Sequence, residues 1–183
     1  MKDIMSIFTV VFLLGLAGAT VDRKLDFTFE EVFSSLPQHG KLWVQQRSFH
    51  GEGLRCIFSE KVLLVGQEYV FYKYHKSGEK LVRVTAHGQI YKKQMKKGLK
   101  SAMNVRVKEL PILTYILQYW DKNELCGVIT FLNSSGQKEC ELHSRVRVRK
   151  HFKNCLVRYR RHCQNGKYKE YLIDNEKCEI SGP

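Results

Sequence analysis

Six cysteines, Cys56, Cys126, Cys140, Cys155, Cys163 and Cys178, follow an N-terminal segment with the features of a cleavable leader. Together they constrain the compartment, and through it the fold. Met1–Ala19 carries Lys2 early, then an apolar run from Ile7 through Leu16, then Ala17, Gly18 and Ala19. A charged start, a short apolar centre and a small-residue end form the pattern of a secretory signal peptide. An N-terminal anchor is the alternative, but the run is short against the ~20 apolar residues that span a bilayer. No second stretch of that length follows. The product is expected to be secreted and extracellular, without a membrane span. In that setting an even cysteine count points to a disulfide framework before a metal site.

Residues 20–183 are expected to form one domain, large enough to bury a core that disulfides reinforce rather than replace. The net charge of +13 is unusual. Lys2 and Asp3 cancel, so loss of the leader leaves it intact. A field of that sign raises encounter rates with anions. Outside a cell these are glycosaminoglycans, anionic lipids or acidic proteins before nucleic acid. A solvated basic surface without a dedicated partner is the plainer reading.

Asp26–Leu36 reads as a short helix. Phe29, Val32, Phe33 and Leu36 share one face, Thr28 with Glu31 makes a capping-box pattern, and Pro37 and Gly40 end it. From Lys41 to Leu132 the pattern changes to short runs rich in Val, Ile, Tyr, Phe and Leu, punctuated by glycines that include Gly51, Gly66, Gly78, Gly88 and Gly98. A spacing of about ten residues between such breaks is that of an antiparallel meander. Residues 76–79 read as a hairpin turn, Pro111 opens the run 112–120, and residues 133–136 turn again. Cys140–Val148 alternates once more. Phe152, Cys155, Leu156, Tyr159 and Cys163 then fall on one helical face. About eight strands joined in sequence order can close into an up-and-down barrel, which removes exposed edges and can enclose one small ligand. The expected architecture is therefore mainly β: an eight-stranded antiparallel lipocalin-type barrel, a short N-terminal helix, and a C-terminal helix packed outside. A β-sandwich is the alternative.

The C-terminal half carries the most specific pattern: Tyr119, Trp120 and Asp121, then Cys126, Gly136, Cys140 with Glu141, Leu142 and His143, then Cys155, Cys163 and Cys178. It resembles the tick salivary lipocalins, the histamine-binding protein family of the calycin superfamily. The resemblance is good from about Trp120 to Cys178 and weaker before it, where Trp43 and Cys56 carry it. It implies the bridges Cys56–Cys178 and Cys126–Cys155, which leaves Cys140 with Cys163. The first closes a long loop, and in the chain-entropy model contributes on the order of 4 kcal/mol.

The resemblance also implies a function: capture of a small host inflammatory mediator in the barrel, suppressing host defence. In the amine-binding relatives, carboxylates and rings inside the barrel hold a cation, because a buried cation needs paired negative charge and ring faces add attraction. Of that set Glu141 carries over. The family's Asp after the second cysteine is Gly127 here, and its aromatic after Glu-Leu is His143. Glu141 shares its parity with Arg145, Arg147 and Arg149, which would turn it to solvent. The motif turns it inward, and inward is expected.

The residues themselves supply a second ligand class. The faces 70/72/74 and 113/115/117/119 offer Tyr72, Tyr74, Tyr115 and Tyr119, and Trp43 lies in an early strand. Rings and aliphatics suit a fatty acid or eicosanoid, whose carboxylate needs a donor at the rim. Arg47, Lys73 and Arg83 are the candidates. The ligand set is thus Glu141, Trp43, Tyr72, Tyr74, Tyr115, Tyr119 and Arg47, with a biogenic amine or an anionic lipid mediator as ligand and no cofactor.

Asn133, Ser134 and Ser135 form an N-glycosylation sequon in a turn. Arg145, Arg147, Arg149, Arg158, Arg160 and Arg161 form a basic stretch that could bind glycosaminoglycans or a host haemostasis or complement protein. The wet side of a strand and helix is its bland reading. No HExxH, G-x-S-x-G or P-loop occurs, so a monomeric binding protein is expected rather than an enzyme.

Overall fold

The computed structural model describes residues 27–51, 53–148, 152–163, 170–176 and 178. The expected leader, Asp26 and Arg149 lie outside the described residues. The N-terminal helix α1 spans Phe29–Ser34. It starts at Phe29 because Thr28 is its cap: Thr28 Oγ1 accepts from the Glu31 amide and Glu31 Oε2 accepts from the Thr28 amide. Its end is satisfied from outside, where Lys61 Nζ donates to the carbonyls of Phe33 and Leu36.

Eight strands follow: β1 (Lys41–Arg47), β2 (Leu54–Val65), β3 (Glu68–Ser77), β4 (Lys80–Met95), β5 (Gly98–Val107), β6 (Leu113–Asp121), β7 (Cys126–Leu132) and β8 (Lys138–Ser144). Each pairs antiparallel with the next, and β1 pairs with both β8 and β2. The sheet therefore closes, and the sandwich alternative falls. The β3–β4 hairpin turns on Gly78, whose φ of +57° costs a glycine nothing. Gly88, read as a break, lies inside β4. A Cβ there would meet Met103 Sδ at 2.5 Å, so packing rather than a turn selects the glycine.

Helix α2 (Lys153–Cys163) packs outside β6, β7 and β8. Cys126, Val128, Cys140 and Leu142 face it from the wall, and Phe152, Cys155, Tyr159 and Cys163 from the helix. Burial of each large apolar side chain there contributes about 1.5–3 kcal/mol. Disulfides Cys126–Cys155 and Cys140–Cys163 fasten the two ends of the contact.

A two-residue strand β9 (Tyr171–Leu172) pairs with the end of β1. The pairing of β1 with β2 ends at Trp43 and Phe58, and beyond it the tail takes the place beside β1. Ile173 donates its amide to Gln45 O, Cys56 to Asp174 O, and Asn175 Nδ2 to Val44 O. Cys178 closes this segment on Cys56, beside Trp43 and Phe58. Cys56–Cys178 and Cys126–Cys155 are the two bridges that the resemblance implies, and Cys140 with Cys163 is the pair it leaves. Among the described residues no helix is long and apolar enough to cross a membrane.

Candidate functional site

The barrel encloses a cavity of about 410 Å³, within the range of small-molecule sites. Helix α1 closes its floor: Phe33 stacks on Tyr69 with ring centroids 3.9 Å apart, and Tyr69 stacks on Phe71. Met103, Leu113, Ile129 and Phe131 form much of the wall. At the far end Phe49 meets Phe131 edge-on, and Phe131 meets Tyr115 in the same way.

Into this apolar space project Arg47 from β1, Lys73 and His75 from β3, Tyr115 from β6, and Glu141 with His143 from β8. Lys73 Nζ donates to Tyr115 Oη at 3.0 Å. His143 Nε2 donates to Glu141 Oε2 at 2.9 Å. Arg47 lies over the Phe49 ring, 4.8 Å from its centroid, and Nη2 donates to Gly51 O at 3.1 Å. Burial alone would raise the Glu141 carboxyl. The hydrogen bond and charge of His143, with the charges of Lys73 and Arg47, outweigh that and hold it below the usual carboxylate range. Burial likewise works against the Lys73 cation, but Tyr115 and Glu141 hold its pKa above the ordinary value. His75 is pushed down by burial and by Lys73 and Arg47.

Two permanent cations thus face one carboxylate, and that carboxylate already has a histidine partner. Arg47 Nε and His143 Nδ1 are buried without a hydrogen-bond partner. A net buried positive charge and an unpaired Arg47 Nε–H are costly until something anionic meets them.

Of the expected ligand residues, Glu141, Arg47 and Tyr115 come together in the cavity. Tyr74 touches its edge, while its ring stacks on Phe58. Tyr72, Trp43 and Tyr119 do not line it. On β3 the inward residues are Tyr69, Phe71 and Lys73, so 70/72/74 face out and Arg83 sits over Tyr72 on the outer wall. An inward lysine hides this parity, because a half-apolar strand reads as facing the core with its apolar side. On β6 a bulge between Leu117 and Tyr119 reverses the alternation. Trp120 turns inward, and Tyr119 turns out to Arg158 and α2. Trp43 packs outside with Cys56 and Cys178. Glu141 can face inward despite its parity with Arg145 because β8 ends at Ser144. The sequence pattern does not single out His75, Phe71, Phe131 or the Glu141–His143 bond as parts of the site. Adjacent odd positions in the Glu-Leu-His tripeptide were the available signal for the last.

The basic stretch does not form one patch. Arg145 Nη2 donates to Ser35 Oγ at 2.7 Å, Arg147 binds the carbonyls of Asn175 and Glu176, and Arg160 pairs with Glu170 at 3.6 Å. Asn133 lies in the β7–β8 turn, its Nδ2 donating to Glu139 Oε1 at 3.0 Å.

A closed antiparallel barrel with an outer helix and an internal cavity is a lipocalin of the calycin superfamily, a class of ligand-binding proteins. Residues 38–179 match the sequence profile of the tick histamine binding protein family, and the chain belongs to that family. Among solved structures it is similar to apocrustacyanin C1, with a TM-score of 0.52 at 9% identity, over 76% of this chain and 79% of that one. That likeness concerns the fold. No curated protein sequence matches significantly.

Proposed function

We propose that this lipocalin is a secreted, single-domain monomer that sequesters a small host inflammatory mediator, and that the mediator is an amphipathic acid of the fatty-acid or eicosanoid type. The surplus of positive charge inside an otherwise apolar cavity carries the reading. The ligand's carboxylate would sit with Lys73 and Arg47, and its chain would lie between Phe71, Phe131 and Met103. Charge-assisted hydrogen bonds would orient it, and burial of its chain would supply most of the affinity. Capture of this kind is stoichiometric, so suppression of host defence depends on abundance and slow release.

A second reading, a biogenic amine such as histamine, is supported by family membership and by the one carboxylate in the cavity. An amine on Glu141 would have to displace His143 and tolerate Lys73 and Arg47 nearby. Gly127, where amine-binding relatives carry Asp, supplies no second carboxylate. Titration calorimetry with arachidonate and with histamine separates the two. Tight binding of the acid and weak or absent binding of the amine is expected. The reverse order would overturn the lipid reading.

A further inference from the structure

The fold brings together a set of cations that are far apart in the sequence. Lys138 begins β8 and donates Nζ to the His162 carbonyl at the end of α2, at 2.5 Å. The Cys140–Cys163 bridge pins that helix end to the same strand. Arg158 and Arg161 lie exposed on α2 within one turn of it. Lys100, on the outer face of β5, completes the group, and its register partner on β4 is Lys93. The ring of His162 senses this field. Burial first, then Lys138, Lys100, Arg158 and Arg161 together push it down from 6.5 to about 4.

Among the described residues no carboxylate lies within ion-pair distance of Lys100, Lys138, Arg158 or Arg161. The C-terminal dipole of α2 favours one or two cations here. It does not account for Lys100 on a separate strand. Like charges gathered without counter-charge destabilise the compact state. An external polyanion would relieve them.

We propose that the C-terminal end of α2, with the starts of β5 and β8, is a binding site for a sulfated glycosaminoglycan chain, held by Lys100, Lys138, Arg158 and Arg161. Arginine forks match the oxygen geometry of a sulfate, and the two lysines supply point charges beside them. The cations span a helix and a neighbouring part of the wall, which suits a linear chain laid across both. A bilayer is disfavoured, because Val157 is the one large apolar side chain exposed on α2. The site lies on the outer wall, apart from the cavity. A tick lipocalin held on host matrix would keep its binding sites where mediators are released.

The test uses the full secreted protein and size-defined heparin. The triple variant Lys100→Ala, Arg158→Ala, Arg161→Ala is compared with Lys80→Ala, Arg83→Ala, Lys108→Ala, which removes the same charge from exposed positions outside this group. The first is expected to bind heparin about tenfold or more weakly, with a salt dependence shallower by about one unit of slope per cation removed. The second should stay within about twofold of wild type at matched salt. Equal losses in both would show diffuse attraction by net charge and overturn the site. So would a loss confined to phosphatidylserine vesicles, which would indicate a membrane surface. Wild-type protein gives an independent readout. NMR titration of His162 should show its pKa rise when heparin is added, and an unchanged value at saturating heparin would overturn the proposal.

Discussion

Lys73 and Tyr115 meet across the lumen, Nζ to Oη at 3.0 Å, from strands that are not neighbours in the sheet. The bond ties opposite walls together and holds the ammonium where a ligand head group would reach it. A hydrogen bond to a charged group contributes about 1.5–3 kcal/mol. Near it, Glu141 balances part of the charge and is itself occupied by His143.

That arrangement predicts opposite ligand effects for two single changes. Lys73→Met should weaken fatty-acid binding about tenfold or more, by removing the cation that the carboxylate meets. Glu141→Gln should leave or improve fatty-acid binding and abolish any amine binding. Calorimetry with both ligand classes on both variants measures this. Equal losses from Glu141→Gln toward acids and amines would remove its role.

Gly127 is predicted to tolerate no side chain. An added Cβ would lie 2.5 Å from Trp120 Cε3 and 2.6 Å from the Tyr119 carbonyl. Gly127→Ala should destabilise by about 1–3 kcal/mol as an overpacked site, read from the urea midpoint. Gly127→Asp should cost at least as much. Restoring the acidic residue of the amine-binding relatives therefore requires Trp120 to change as well. A neutral Gly127→Asp variant that gained histamine binding would contradict this packing.

The tail completes the wall between β1 and β2, and Cys56–Cys178 holds it there. Cys56→Ser with Cys178→Ser should cost on the order of 4 kcal/mol in the chain-entropy model. Hydrogen exchange should localise the loss. The amides of Ile173 and residue 56, which bond Gln45 and Asp174, should lose protection before the amides that pair β3 with β4.

Acid should weaken the helix end through His162. Its pKa in the folded protein is depressed to about 4 by burial and by the surrounding cations. Stability from a histidine kept neutral is complete above its ordinary value of about 6.5, and is lost as pH falls toward about 4. His162→Gln should flatten the urea midpoint against pH across that window relative to wild type. Parallel curves would show that His162 does not sense the cluster.

The closure of the barrel was legible in the sequence because the runs between Lys41 and Leu132 are regular and the turn residues fall between them. The inward face was legible only where alternation is unbroken. Tyr115 precedes the β6 bulge and faces inward as alternation predicts; Tyr119 follows it and faces out, since one extra residue reverses every later side chain. On β3 the failure has a different cause. Lys73 occupies an interior position that a periodicity argument gives to an apolar residue, and only the three-dimensional meeting with Tyr115 and Glu141 explains its burial. The arginines after Ser144 alternate like a strand, but the chain has left the sheet there, so Arg145 and Arg147 bind separate backbone and side-chain partners.

The most direct test of the account is a crystal structure of the protein grown with equimolar arachidonate and histamine. The account predicts the fatty acid in the lumen, its carboxylate within hydrogen-bond distance of Lys73 Nζ or the Arg47 guanidinium. Histamine in the lumen with its ammonium on Glu141, or a fatty acid bound only outside the barrel, would contradict it.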